Sequence, residues 1–323
     1  MSSETGGADS SPLPLGAPQN DRSRQLTRGW RATGVGLVVG ATLLYATNGI
    51  TTHLYYGAGG SSATLLSIRF LLGFFAFGIA VLVTGVGFPR GRHLAFGVAL
   101  GVAQLVYSSA LVIGFELVPV SLLILLFYAY PLLVTVGARI LFGERLNRRQ
   151  LFMVAIGGAG LLLAVGTPKE VTTLGVCLGL GAALFQSVMI LGTTYLLRQG
   201  LVVIQIAAST YIIPCFVFAT LAVLGRLVPP PLEPEALIGI LGFVVFGSIL
   251  PFWAFYSGVQ RVGASLASLL ATVEPVFGVF LAYAALGERL TFGQLTGGVM
   301  IIGAALGLSV ITLRKQGQTV QQT

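Results

Sequence analysis

The 323-residue chain is short of charge. Asp, Glu, Lys and Arg make up 9 % of it and only ten residues are acidic. No soluble globular domain of this length has such a composition. There are two cysteines and two histidines. Cys177 and Cys215 both fall inside apolar segments, which excludes a disulfide framework. With no cluster of His, Cys and carboxylates, neither a metal site nor another cofactor is implied. A GxxxxGK[ST] segment is missing, so drive by ATP would need another subunit. Paired Asp, HExxH and a Ser–His set are missing too, since His53 and His93 stand at the ends of apolar segments. No signal peptide is expected, because the first apolar run begins near Thr33 and is too long for one.

Apolar sequence fills the space. Hydrophobic residues make up 55 % of the chain, and there are 44 glycines, as in packed transmembrane helices. Ten apolar stretches are expected to span a membrane: 33–55, 62–84, 94–115, 119–142, 150–166, 173–197, 202–224, 237–258, 264–286 and 293–313. Each is near the roughly 20 residues that cross a bilayer as a helix. Residues 1–29, rich in Ser, Gly and Pro, read as a disordered cytoplasmic tail, and 314–323 as a second cytoplasmic tail.

The net charge of +8 does not point to nucleic acid, because the basic residues lie between the apolar stretches rather than on one face. With the N-terminus inside, the cytoplasmic segments hold Arg22, Arg24, Arg28, Arg31, Arg90, Arg92, Arg145, Arg148, Arg149, Arg198, Arg261, Arg314 and Lys315. Only Lys169, Arg226 and Arg289 fall outside. That asymmetry is the positive-inside pattern, and nine or eleven spans would spoil it.

Residues 118–146 read VPVSLLILLFYAYPLLVTVGARILFGERL, and residues 262–290 read VGASLASLLATVEPVFGVFLAYAALGERL. They align without a gap at an offset of 144, with Val118, Ser121, Leu122, Leu125, Leu126, Pro131, Ala138 and Gly143–Glu144–Arg145–Leu146 recurring. A repeat at nearly half the chain length means two similar halves, 30–166 and 167–313. Five spans per half, an odd number, make the halves inverted, which is the architecture of a solute carrier. A weaker match at offset 141 lays GATLLYATNGITT (40–52) over GAALFQSVMILGT (181–193), pairing Tyr45 with Gln186 and Asn48 with Met189. Asn147 with Gln150, and Thr291 with Gln294, have the spacing of capping boxes opening the fifth helix of each half. Glu144 and Glu288 read as acids that cap helices and hold turns.

Ten spans in two five-span repeats, a mid-helix Pro followed by GERL, Arg69 in SIRF and Glu274–Pro275 in VEPV together resemble the drug/metabolite transporter superfamily, EamA type, over residues 33–313. The chain departs from that pattern at Tyr45–Ala46, where a Trp-Gly pair is usual. The resemblance implies transport of small metabolites, often export of amino acids or related compounds, and names no solute.

Glu274 stands at mid-span, where an ionised carboxylate costs several kcal/mol unless paired or hydrated. Its counterpart in the first copy is Tyr130. It reads as a cavity group that takes a proton or a cationic part of the solute, or else as an acid bracing two helices. Arg69, in the outer third of its span, either holds a substrate carboxylate or ties helices together through backbone carbonyls. Arg139 reads as snorkelling to the cytoplasmic surface. Pro131 and Pro275 remove a helix hydrogen bond at matching places and act as hinges or static kinks. Tyr45, Asn48, Tyr107, Tyr128, Tyr130, Gln186, Trp253 and Tyr256 carry polar tips or aromatic rings within spans, and as a set they fit a cavity with a few polar contacts.

The leading expectation is therefore an all-α membrane protein, a secondary carrier with no enzymatic activity, proton-coupled through Glu274. The alternative is an intramembrane enzyme or lipid-handling protein, which counterflow of labelled solutes in proteoliposomes separates from a carrier. The expected partners are a small-molecule metabolite and the lipid bilayer, with a homodimer left open. Sixteen Arg against two Lys, with abundant Gly, Ala and Val, read as a bacterial protein of high-GC coding, hence one of the inner membrane.

Overall fold

The computed structural model describes residues 19–142, 147–165, 172–262, 267 and 270–320. Among them every regular element is helical and there is no strand. The elements are α1 (Gln19–Ala46), α2 (Asn48–Gly57), α3 (Ser62–Thr84), α4 (Gly91–Leu117), α5 (Val120–Phe127), α6 (Tyr130–Phe142), α7 (Arg148–Val165), α8 (Thr173–Arg198), α9 (Val203–Thr210), α10 (Ile212–Val223), α11 (Pro234–Leu241), a π-helical segment (Gly242–Ile249), α12 (Leu250–Val262), α13 (Val273–Leu286) and α14 (Phe292–Val320).

Among the described residues eight helical stretches are long and apolar enough to cross a membrane: Ala32–Gly57, Ser62–Thr84, Gly91–Leu117, Val120–Ala138, Thr173–Arg198, Val203–Val223, Pro234–Phe255 and Phe292–Ile311. The fifth expected span corresponds to α7 and the ninth to α13, each adjoining residues outside the described set. Leu82, Val83, Ile140, Val223 and Phe292 are each more than 70 % exposed. In water such a belt would aggregate; in lipid it is the solvent-facing surface. The chain is a multi-pass membrane protein.

Two boundaries differ from expectation. Helix α1 begins at Gln19, well inside the segment read as a disordered tail, and α14 runs on to Val320. Between Asn20 and Arg31 there is no proline and one glycine, so nothing stops the apolar helix from extending outward. Residues 1–18 and 321–323, the first GERL and Lys169 lie outside the described residues.

Helix ends follow the local sequence. Ser61 accepts from the Thr64 N–H to start α3, Thr172 accepts from the Gly175 N–H to start α8, and Pro234 opens α11. Both expected capping boxes form. Asn147 N–H donates to Gln150 Oε1 at 3.1 Å while Gln150 N–H donates to Asn147 Oδ1 at 2.8 Å. Thr291 N–H donates to Gln294 Oε1 at 2.9 Å while Gln294 N–H donates to Thr291 Oγ1 at 3.2 Å. Hydroxyls on the apolar helices bond back within their own helix, as Thr194 does to Ile190 O and Thr220 to Phe216 O.

Packing runs between chain halves more than within them. Helix α1 lies along α12, α8 along α4, α3 against α9 and α10, α5 against α13, and α7 along α14. The α7–α14 crossing is close because both sides offer glycine. A Cβ at Gly297 would fall 2.5 Å from Gly160 O and 2.6 Å from Ala164 N, and one at Gly160 would fall 2.8 Å from Gly297 O. The largest core joins Tyr55, Phe70, Phe77, Tyr211, Phe218 and Phe243, where α3 meets α9, α10 and the π segment.

Candidate functional site

Several transmembrane segments are interrupted near their middles. Thr47 separates α1 from α2, Tyr128–Ala129 separates α5 from α6, Tyr211 separates α9 from α10, and Thr272 precedes α13. Without water to satisfy freed amides, the chain tightens into i→i−3 bonds: Thr47 N–H to Leu44 O and Ala129 N–H to Leu126 O, both at 3.1 Å. Pro131 and Pro275 stand in the first turns of α6 and α13, where an N–H would lack a partner in any case. They follow the breaks rather than kinking a continuous helix.

Glu274 sits in the first turn of α13, at its positive dipole end. Its Oε2 accepts from the Tyr128 hydroxyl at 2.8 Å, and that hydroxyl also lies 3.1 Å from Ala271 O. Tyr128, 1 % exposed, stands at the α5–α6 break. The contact therefore joins the broken segment of one half to the broken segment of the other. A phenol owns one proton. With Glu274 ionised, Tyr128 can give that proton to the carboxylate. With Glu274 protonated, the acid can donate to Tyr128, which then donates to Ala271 O. Phe127 and Tyr130 close the aromatic wall, Tyr130 lying 5.3 Å from Tyr128 and 5.2 Å from Phe127 between centroids.

Arg69 occupies a second polar centre. It is buried on α3, with its guanidinium carbon 5.1 Å from the Phe243 ring centroid and 5.7 Å from that of Phe70. The groups acting on it are the phenols of Tyr107, Tyr211 and Tyr45, with Tyr211 in hydrogen-bond range. Gln104 Nε2 donates to Tyr107 Oη at 3.3 Å. Among the described residues no backbone carbonyl accepts from Arg69, so tying helices through carbonyls is not what the structure displays there.

Asn48, the first residue of α2, donates through Nδ2 to Gly247 O at 3.1 Å. Gly247 lies in the π segment and leaves room for the amide: a Cβ there would fall 1.6 Å from Asn48 Oδ1. At the second GERL position, Gly287 takes φ 68° and closes α13, with Glu288 N–H bonding to Ala282 O. The Glu288 carboxylate then accepts from Val120 N–H at 2.8 Å and Ser121 N–H at 2.9 Å, capping α5. Its expected capping role is met; Glu144 lies outside the described residues.

Of the remaining residues singled out from sequence, Gln186 is half-buried on α8, where its neighbour Ser187 bonds to Tyr130 O at 3.2 Å. Trp253 is 56 % exposed on α12 and is not enclosed with the polar groups. The side chains of Tyr256 and Arg139 lie outside the described residues. Sequence reading missed Tyr211, Gln104 and Phe243. Tyr211 alone had a signal, a phenol three residues before Pro214 in an apolar run.

The profile of the EamA-like transporter family matches the chain twice, over residues 32–166 and 173–310. The chain belongs to the EamA-like transporter family. An "Uncharacterized transporter" of Archaeoglobus fulgidus is 28 % identical over 257 residues, 75 % of this chain and 85 % of the relative. Protein PecM of Dickeya dadantii is 23 % identical over 198 residues, 60 % of this chain and 67 % of the relative. A solved crystal structure with 20 % identity and TM-score 0.62, covering 88 % of this chain and 98 % of its own, shares the fold. This EamA-like chain is thus a membrane transporter by family.

Proposed function

We propose that this EamA-like protein is a secondary carrier that exports small metabolites, amino acids or related compounds, across a bacterial inner membrane by alternating access, coupled to protons through Glu274. Ten spans form two inverted five-span halves, 30–166 and 167–313, with both termini cytoplasmic. Helix starts support this: 32 and 173 differ by 141, 62 and 203 by 141, 91 and 234 by 143, and 148 and 292 by 144. The contacts support it too, pairing first helix with third across the halves, second with second, fourth with fourth and fifth with fifth.

The observation that carries the coupling is the Tyr128–Glu274 hydrogen bond between the two central breaks. Loading a proton on Glu274 redirects the Tyr128 proton to Ala271 O, and unloading draws it back. The same proton thus changes how the chain is held at the turn before α13. Among the described residues the titratable group bonded to Glu274 is Tyr128, at the α5–α6 break, and Tyr130 stands beside Tyr128. The Pro-started helices α6 and α13 pivot at these turns as one half rocks against the other.

The test uses proteoliposomes loaded with a panel of labelled amino acids and organic acids. Glu274→Gln is expected to abolish accumulation driven by a pH gradient while leaving exchange partly intact, since the amide keeps shape and one acceptor but cannot ionise. Loss of exchange as well would make Glu274 a binder of a cationic solute group. A wild-type pH profile in the variant would remove proton coupling. Conversion of a solute, instead of its unchanged exchange, would replace the carrier by an enzyme.

A further inference from the structure

We infer that Arg69 is the anion subsite of this protein and takes the carboxylate of an organic monoanion. The assignment rests on the carrier reading for its physiological role, but on geometry of its own. Arg69 is 7 % exposed, within an apolar span, and packs on the same core as Phe70, Tyr211 and Phe243. A guanidinium does not lose its proton in such a place, so its charge must be met. Among the described residues no carboxylate acts on it; the groups that do are the phenols of Tyr107, Tyr211 and Tyr45.

The rings answer only part of the requirement. Phe243 and Phe70 meet the cation through their π faces, and ring faces accept none of the in-plane N–H bonds. Among the described residues the buried Nε of Arg69 has no hydrogen-bond partner. A planar carboxylate matches the two-pronged edge of a guanidinium. Donors stand ready beside it: Tyr107 accepts from Gln104 and so keeps its own proton for another acceptor. One cation with neutral donors balances one negative charge. A doubly charged phosphate would call for a second cation, and among the described residues none acts on Arg69.

Benzoate and its neutral isostere benzamide are the probes. The full chain is placed in nanodiscs of phosphatidylcholine and treated with phenylglyoxal, and the peptide carrying Arg69 is weighed by mass spectrometry. Benzoate is expected to slow modification of Arg69 by about tenfold, the factor one charge-assisted hydrogen bond supplies, while benzamide and chloride leave it unchanged. Equal modification with and without benzoate overturns the assignment, as does an Arg69 that never reacts. Protection by phosphatidylglycerol in the disc, with none by benzoate, makes the anion a lipid headgroup and overturns the solute class.

Variants give a second readout. Arg69→Gln is expected to lose the thermal stabilisation by benzoate and Arg69→Lys to keep part of it; retention in Arg69→Gln overturns the assignment. Should neither variant fold, the wild-type labelling still decides. Protection without counterflow of any solute sinks the carrier reading and leaves the anion subsite. Counterflow without carboxylate-dependent protection does the reverse.

Discussion

Glu274 and Glu288 are fourteen positions apart on one repeat copy, and they do different work. Glu288 spends both oxygens on the two N–H groups that open α5. Replacing it by alanine removes a charge-assisted cap, and a cost of about 1–2 kcal/mol is expected. A lowered Tm of the solubilised protein, with solute exchange per folded molecule retained, checks this; an unchanged Tm denies the cap any weight. Among the described residues Glu274 is bonded through one oxygen to the Tyr128 phenol. Both acids were legible in the sequence, one because charge in an apolar run is rare, the other because GERL recurs. What Glu288 caps was not legible, since its partners lie 168 and 167 residues away. Tyr211 and Phe243 were equally hidden, because an aromatic residue in an apolar run looks like ordinary packing until its neighbours are known.

Among elements, the paired prolines mark where α6 and α13 start, and alanine at either place would let helix propagate through the turn. Pro131→Ala and Pro275→Ala are each expected to slow transport more than they weaken solute affinity, as read by exchange rates over a concentration series. A large affinity loss at unchanged turnover would make the prolines shapers of the binding site instead. The capping boxes foretold where α7 and α14 start, because caps depend on residues three apart, while the repeat paired the prolines but not the breaks before them. The α1–α2 break and the π segment were not foretold. Neither carries a proline, and what holds them together is a bond from Asn48 to Gly247 across 199 residues. The fifth and ninth spans were placed from sequence as full crossings, where the described helices are α7 and α13.

Over the whole molecule, the interlock of halves sets the sensitivity to small changes. Gly297→Ala puts a methyl group against the backbone of α7, and a loss of about 1–3 kcal/mol with poor recovery of folded protein is expected. Gly303→Ala on the same helix meets nothing within 4 Å and should be tolerated, which makes it the matched control in a solubilisation and Tm assay. If both behave alike, the close crossing carries no special weight. Orientation is checked separately: reporters fused after Gln150 and after Lys169 are expected on opposite sides of the membrane, and the same side for both would break the ten-span count.

The Glu288 cap also bears on how the chain is made. At a synthesis rate of about 5–20 residues per second, the start of α5 leaves the ribosome on the order of ten seconds or more before the carboxylate that completes it. Through that interval the early helices sit in lipid with two backbone donors bare, a state that invites a chaperone or a protease. The first half expressed alone, ending at residue 166, is therefore expected to be degraded, and to be rescued when residues 167–323 are made beside it as a separate chain. Survival of the lone half in a pulse-chase would mean that lipid headgroups or water serve those donors well enough.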